Sequence, residues 1–132
     1  MRSPVHALIV AVPAMLLLAA CNTQNSGQSS DALVQGTAFN ATGNIPCSFG
    51  SGQPTTQCPF GVQRQGNGSG YVTVTKPDGR TRSITFEDGR AIAADTSQAD
   101  WGEFSASKQG DLSIVRVGEE RYEIPDAVIY GG

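Results

Sequence analysis

The stretch YVTVTKPDGRTRSITFEDGRAIAA, residues 71–94, alternates apolar and polar side chains and is broken at short intervals by turn residues. In residues 71–76, Val72 and Val74 alternate with Thr73 and Thr75, the period of two that sends successive side chains to opposite faces of a strand. Pro77-Asp78-Gly79 then supplies a turn, because Pro presets φ and Gly tolerates a positive φ. Residues 81–87 place Ile84 and Phe86 on one face, Asp88-Gly89 turns the chain, and residues 90–94 make a short strand around Ile92. Three consecutive antiparallel strands are expected from this local pattern.

Towards the C-terminus the same rhythm continues. Residues 95–100 are polar and read as a loop, 101–107 as a strand carrying Phe104, and Gln109-Gly110-Asp111 as a turn. Residues 112–117 are an apolar strand, Gly118-Glu119 a tight turn, and 121–124 a strand with Tyr122 and Ile124 on one face. Pro125-Asp126 breaks that strand, and residues 127–130 are expected to pair once more. No long stretch has helical periodicity, so the fold class is all-β: a small antiparallel meander, barrel-like or two-layered. The preceding segment, residues 37–70, offers Phe39, Ile45, Phe49, Phe60 and Val62 as apolar anchors. It is expected to be a loop-rich region with one or two short strands, held against the sheet by a disulfide.

The beginning of the chain carries a different signal. Arg2, an apolar run over residues 7–18 broken only by Pro13, and the small residues Ala19 and Ala20 have the order of a secretory leader. As a helix, residues 7–20 would rise only about 21 Å, short of the roughly 30 Å of a bilayer's hydrocarbon. The tetrad Leu18-Ala19-Ala20-Cys21 is similar to the lipobox of bacterial lipoproteins. That resemblance implies cleavage before Cys21, a diacylglycerol on its thiol and a new N-terminus at its amine. Several acyl chains make such an anchor stable where one would be marginal. Asn22 stands where lipoproteins kept at the inner membrane often have Asp, so the resemblance points to the outer membrane, facing the periplasm. The alternative is an ordinary secretory signal followed by a chance cysteine.

Three segments follow: a leader (1–20), a lipidated Cys21 with a polar, flexible tether (21–36), and one small β-domain (37–132). Small domains bury little surface and gain from a covalent staple. Cys47 and Cys58 are the only other cysteines, and in an exported chain they are expected to form a disulfide. A metal site is the competing reading, but the single histidine, His6, belongs to the leader. The whole chain carries nine Lys and Arg against twelve Asp and Glu, a net charge of −3, and losing Arg2 makes the cleaved form one unit more negative. No basic patch invites nucleic acid.

Candidate chemistry is sparse. Without a histidine or a free thiol the mature domain lacks the usual bases and nucleophiles, so an enzyme is not expected and no cofactor is implied. Asp95, Asp100 and Glu103, near Thr96 and Ser97, form the densest carboxylate group and could hold Ca²⁺, although the spacing lacks the alternation of a calcium loop. Trp101 is either core or an anchor for a partner surface, since tryptophan is enriched at binding hot spots. Arg116, Glu119, Glu120, Arg121 and Glu123 lie on neighbouring strands and are expected to pair across the sheet, each pair worth a fraction of a kcal/mol.

The ending ERYEIPDAVIYGG (residues 120–132), with Cys58-Pro59-Phe60-Gly61-Val62 and Pro77-Asp78-Gly79-Arg80, resembles a set of small lipoproteins and exported proteins of alphaproteobacteria. The resemblance covers nearly the whole folded part and implies a lineage and a compartment, with no activity or site residues attached. Asp88-Gly89-Arg90 with Ile92 is also similar to a hairpin of short Gram-negative lipoproteins with an SH3-like barrel. Membrane-bound lysozyme inhibitors share the small disulfide-bearing β-barrel and the lipid anchor, but their second cysteine lies near the C-terminus and Cys58 is early.

The function expected from the sequence is that of a membrane-anchored, non-enzymatic envelope lipoprotein with a structural or protein-interaction role. Its partners are the membrane, through lipid on Cys21, and an envelope protein. A lysozyme inhibitor and a small-ligand or metal-binding module are the alternatives.

Overall fold

The computed structural model describes residues 32–96 and 102–131. The leader, Cys21, the tether as far as residue 31, and Trp101 lie outside them. The described chain is all-β. Its strands are β1 (Ala41–Ser48), β2 (Thr56–Gly66), β3 (Ser69–Thr75), β4 (Thr81–Glu87), β5 (Arg90–Ala94), β6 (Phe104–Gln109), β7 (Leu112–Val117) and β8 (Glu120–Pro125), followed by one helical turn, α1 (Asp126–Tyr130). Every ladder is antiparallel, and the sheet order is β5-β4-β3-β2-β1-β8-β7-β6. Consecutive strands therefore pair except β5 with β6, and β8 returns to pair with β1. β5 and β6 come side by side without a ladder, which leaves the up-and-down barrel nearly closed.

The hairpins of residues 71–94 form as the alternation requires. Val72 pairs with Ile84 and Val74 with Arg82 across β3 and β4, and Val72, Val74, Ile84 and Phe86 are all buried. They meet Val62 of β2, Val115 and Val117 of β7, and Tyr122 and Ile124 of β8 in one core. Burial of each large aliphatic or aromatic side chain stabilises by about 1.5–3 kcal/mol, and these side chains fill the barrel interior as one core.

Two expectations need correction. Residues 41–66 are not a loop-rich flank: β1 and β2 are complete strands in the middle of the sheet, and β2 is eleven residues long. Pro46 and Pro59 disguised them, since proline is excluded from doubly paired strand positions. Pro46 pairs with Gln57 before β1 meets β8 at Cys47, and Pro59 pairs with Asn44 before β2 meets β3 at Phe60. Each proline thus falls where its strand has a ladder on one side only. The strand glycines also have a packing role. A Cβ on Gly61 would lie 2.4 Å from the Phe39 ring, and one on Gly43 would lie 3.1 Å from the Phe60 ring.

The second correction concerns residues 127–130, which form most of α1 in place of a final strand. Pro125, extended at φ −67° and ψ 151°, ends the ladder, and Asp126 stands in the first turn where a negative charge suits the helix N-terminus. The helix has no basic residue in its last turn. Arg64 of β2 supplies one, donating from Nε to the Val128 carbonyl at 2.9 Å. Ile129 is buried in the core, and the Tyr130 ring lies against Gly68 and Gly89, where any Cβ would come within 2.5 Å of its hydroxyl. Both glycines have positive φ, +76° and +78°, so the two turns and the tyrosine specify one another. α1 closes this end of the barrel.

Candidate functional site

The opposite end is built differently. Here the β1–β2 loop, the β3–β4 turn and the β7–β8 turn surround an open groove of about 610 Å³. Phe49, Gln53 and Pro54 form one wall, Pro77 and Arg80 another, and Gly118 and Glu119 a third. The Cys47–Cys58 disulfide, with Cα atoms 6.0 Å apart, staples the base of the first wall to two central strands. Phe49 is held by an edge-on contact with Tyr122, ring centroids 6.0 Å apart. At the β3–β4 turn, Asp78 accepts from the Arg80 backbone N–H and from Arg80 Nε, both at 2.9 Å. Those bonds hold the exposed Asp78 carboxyl below its ordinary range.

The floor of the groove is ionic. Strand parity sends Lys76 inward behind Val72 and Val74, Arg82 inward ahead of Ile84 and Phe86, and Glu120 inward ahead of Tyr122 and Ile124. Arg82, 2% exposed, donates from Nε to Glu120 Oε1 at 2.8 Å and from its terminal nitrogen to Oε2 at 2.7 Å. Lys76 Nζ reaches Oε2 at 3.2 Å and the Tyr122 hydroxyl donates to Oε1 at 2.7 Å. Arg82 also donates to the Asp95 carbonyl, while the Asp95 carboxylate accepts from the Ser83 N–H at 2.8 Å. In the sheet order β4 and β8 are four places apart among eight strands, on opposite sides of the barrel. The Arg82–Glu120 pair is therefore a bidentate latch across the barrel's width, directly beneath the groove.

Burial pushes the Glu120 carboxyl up, but hydrogen bonds from Arg82, Tyr122 and Lys76 pull it down by more, so it titrates below the ordinary glutamate range. A carboxylate depressed by folding contributes stability that is present above the unfolded value, about 4.3, and is lost as pH falls through the depressed one. Tyr122 has the reverse sense: burial first, and then the bond to Glu120, push its hydroxyl well above the ordinary tyrosine value. Its contribution is present below about pH 10 and is lost as pH rises past the ionisation of the unfolded tyrosine. Urea titrations at stepped pH are expected to show an acid limb below about pH 4 and an alkaline limb above about pH 10. Glu120→Gln should flatten the first limb and Tyr122→Phe the second.

The other residues singled out from sequence fall as follows. Glu120 was expected to pair with Arg116 or Arg121 across neighbouring strands, and it instead pairs with Arg82 in the latch, while Arg121 and Glu123 pair with each other along β8. Asp95 is tied to Arg82 and Ser83, Glu103 is exposed, and Asp100 lies outside the described residues. Among the described residues no group of three His, Cys, Asp or Glu side chains could hold a metal ion, and no helix is long and apolar enough to cross a membrane. Lys76 and Arg82 were not foreseen as site residues, although each shares the parity of an apolar face. Comparison with protein-family models, with curated proteins and with solved structures finds no match to this chain.

Proposed function

We propose that this chain is a lipid-anchored, non-enzymatic lipoprotein of the bacterial envelope that uses the open end of its barrel to bind a protein partner. The observation that carries this reading is the asymmetry of the barrel. Among the described residues, one end is closed by α1 and the Tyr130 contacts, whereas the other presents a groove whose walls are fixed by a disulfide and by an ionic latch. Binding surfaces placed on loops that a rigid scaffold holds are the common arrangement for recognition.

The polarity of β1 supports the same reading. The strand runs from Ala41 towards the groove, which its Cys47 end reaches. The chain before it therefore enters from the side of the closed end, where Asn40 bonds to Val62 and Arg64 of β2. A tether leading back to a lipid on Cys21 leaves the groove facing away from that anchor. The lipobox-like tetrad and Asn22 favour an outer-membrane, periplasm-facing location, and the resemblance carried by residues 120–132 favours an alphaproteobacterial lineage.

The reading is tested with a photoreactive amino acid placed singly at Gln53 or Glu119, on the groove rim, and at Thr73 or Thr85, on the outer face of the central strands. Irradiation of living cells is expected to give a discrete adduct from the rim positions and none from the outer face. Adducts from the outer face alone would sink the assignment of the groove. A muramidase assay with the purified protein separates the lysozyme-inhibitor version, which requires near-stoichiometric inhibition.

A further inference from the structure

We infer that the seam between β5 and β6 is a binding site for a small aliphatic carboxylate, distinct from the groove. Among the described residues this is the one junction of neighbouring strands without a ladder. Around the start of β5, nearest the α1 end, the two strands flank a cavity of about 150 Å³, lined by Arg90, Ala91 and Ile92 of β5, Ala106 and Lys108 of β6, and Ser113 of β7. A volume of this order suffices for a molecule of benzene's size, so the site admits a compact group.

Ser113 is the decisive residue. It shares the inward face of β7 with Val115 and Val117, is 0% exposed, and its Oγ has no hydrogen-bond partner among the described residues. A buried hydroxyl without a partner is unfavourable and uncommon. An acceptor entering from the seam would satisfy it.

The remaining lining determines which acceptor fits. Lys108 is paired with Asp126 of α1, but the Arg90 guanidinium makes no ion pair among the described residues, even with Glu87, its register partner on β4. Arg90 is thus the cation of the lining that no ion pair engages among the described residues, and its guanidinium can donate to a single carboxylate. Ala91, Ile92 and Ala106 offer apolar contact to a short tail, and Ile92 is 45% exposed. A phosphate dianion would set oxygens against those alkyl groups. The carboxylate accepts from Ser113 and Arg90, and its aliphatic part lies against Ile92.

The test is a titration of the intact, isotope-labelled protein in detergent micelles with propionate, followed by backbone amide shifts, with propanol and inorganic phosphate as comparators. Saturable shifts are expected at residues 90–92, 106–108 and 113, with a Kd on the order of millimolar, as befits so few atoms. Ser113→Ala and Arg90→Gln should each weaken binding by about fivefold or more. Ser113→Ala removes an unpartnered hydroxyl, so its melting temperature should be unchanged or higher. No saturable shift, equal shifts with propanol or phosphate, shifts confined to Lys76 and Arg80 at the groove, or affinity unaffected by both substitutions would each overturn the proposal. The groove assignment does not depend on the outcome.

Discussion

Replacing Glu120 with Ala is expected to lower the stability of the fold by about 3–5 kcal/mol, the range for removing one partner of a buried ion pair. The loss would come mainly from what remains. Arg82 is 2% exposed, and without the carboxylate its guanidinium loses a bidentate acceptor while keeping Asp95, at its carbonyl and at 3.7 Å from its carboxylate. Lys76, 5% exposed, and the Tyr122 hydroxyl would lose the same acceptor. A buried pair adds little net stability compared with apolar residues of similar volume, because desolvation offsets most of the attraction. Arg82→Met with Glu120→Leu should therefore recover much of what Glu120→Ala loses. The double variant should also lose the acid limb assigned to Glu120. Equilibrium urea unfolding of the three proteins decides this, and a loss below about 1 kcal/mol for Glu120→Ala would place the carboxylate in water.

The second large effect belongs to the disulfide. Cys47→Ala with Cys58→Ala is expected to cost about 3 kcal/mol in the chain-entropy description of a loop of this length, or a fall in Tm of roughly 10–20 °C for a domain this small. Alanine is the right replacement because both positions are at most 1% exposed, and serine hydroxyls there would add their own desolvation cost of about 1–3 kcal/mol each. The loop that the bond closes is a wall of the groove, so binding should weaken along with stability. Reducing agent should lower the Tm of the parent protein to that of the variant and leave the variant unchanged. A Tm that did not respond to either treatment would show that the ladder of β1 with β2 alone holds the loop.

Most of the sheet was legible because its signals are local. β3 to β5, β7 and β8 follow from alternation punctuated by Pro77-Asp78-Gly79, Asp88-Gly89 and Gly118-Glu119, and their bounds match the reading to within two residues. β1 and β2 were hidden because proline and glycine weaken strand signals. Their tolerance depends on where the neighbouring ladders stop and where Phe39 and Phe60 lie, and only the tertiary structure supplies that. The β-branched and aromatic residues Val128, Ile129 and Tyr130 favour strand locally, yet burial of Ile129 and the cap from Arg64 make them helical.

The ionic floor was half legible. Lys76, Arg82 and Glu120 each sit two residues from a core position, so parity alone aims them inwards. Such residues usually stand in water, and at a strand end a long side chain can turn either way. What decides it is that three of them converge from β3, β4 and β8, a fact of barrel closure that no single strand contains. Ser113 was missed for the same reason: the seam beside it exists because β5 and β6 do not pair. The Cys47–Cys58 bond was legible from count and from the compartment that the leader-like N-terminus leads us to expect, since two remaining cysteines have one obvious pairing.

The proposed export and lipid anchoring at Cys21 are what the reading of the groove as a surface for an envelope partner rests on. The most direct measurement is metabolic labelling of cells with a radioactive fatty acid, followed by membrane fractionation, for the parent protein and for Cys21→Ser. The parent is expected to carry label and to sediment with membranes, and Cys21→Ser to carry none and to leave the membrane fraction. Label absent from the parent, or a Cys21→Ser protein that still fractionates with membranes, would contradict lipid anchoring at Cys21.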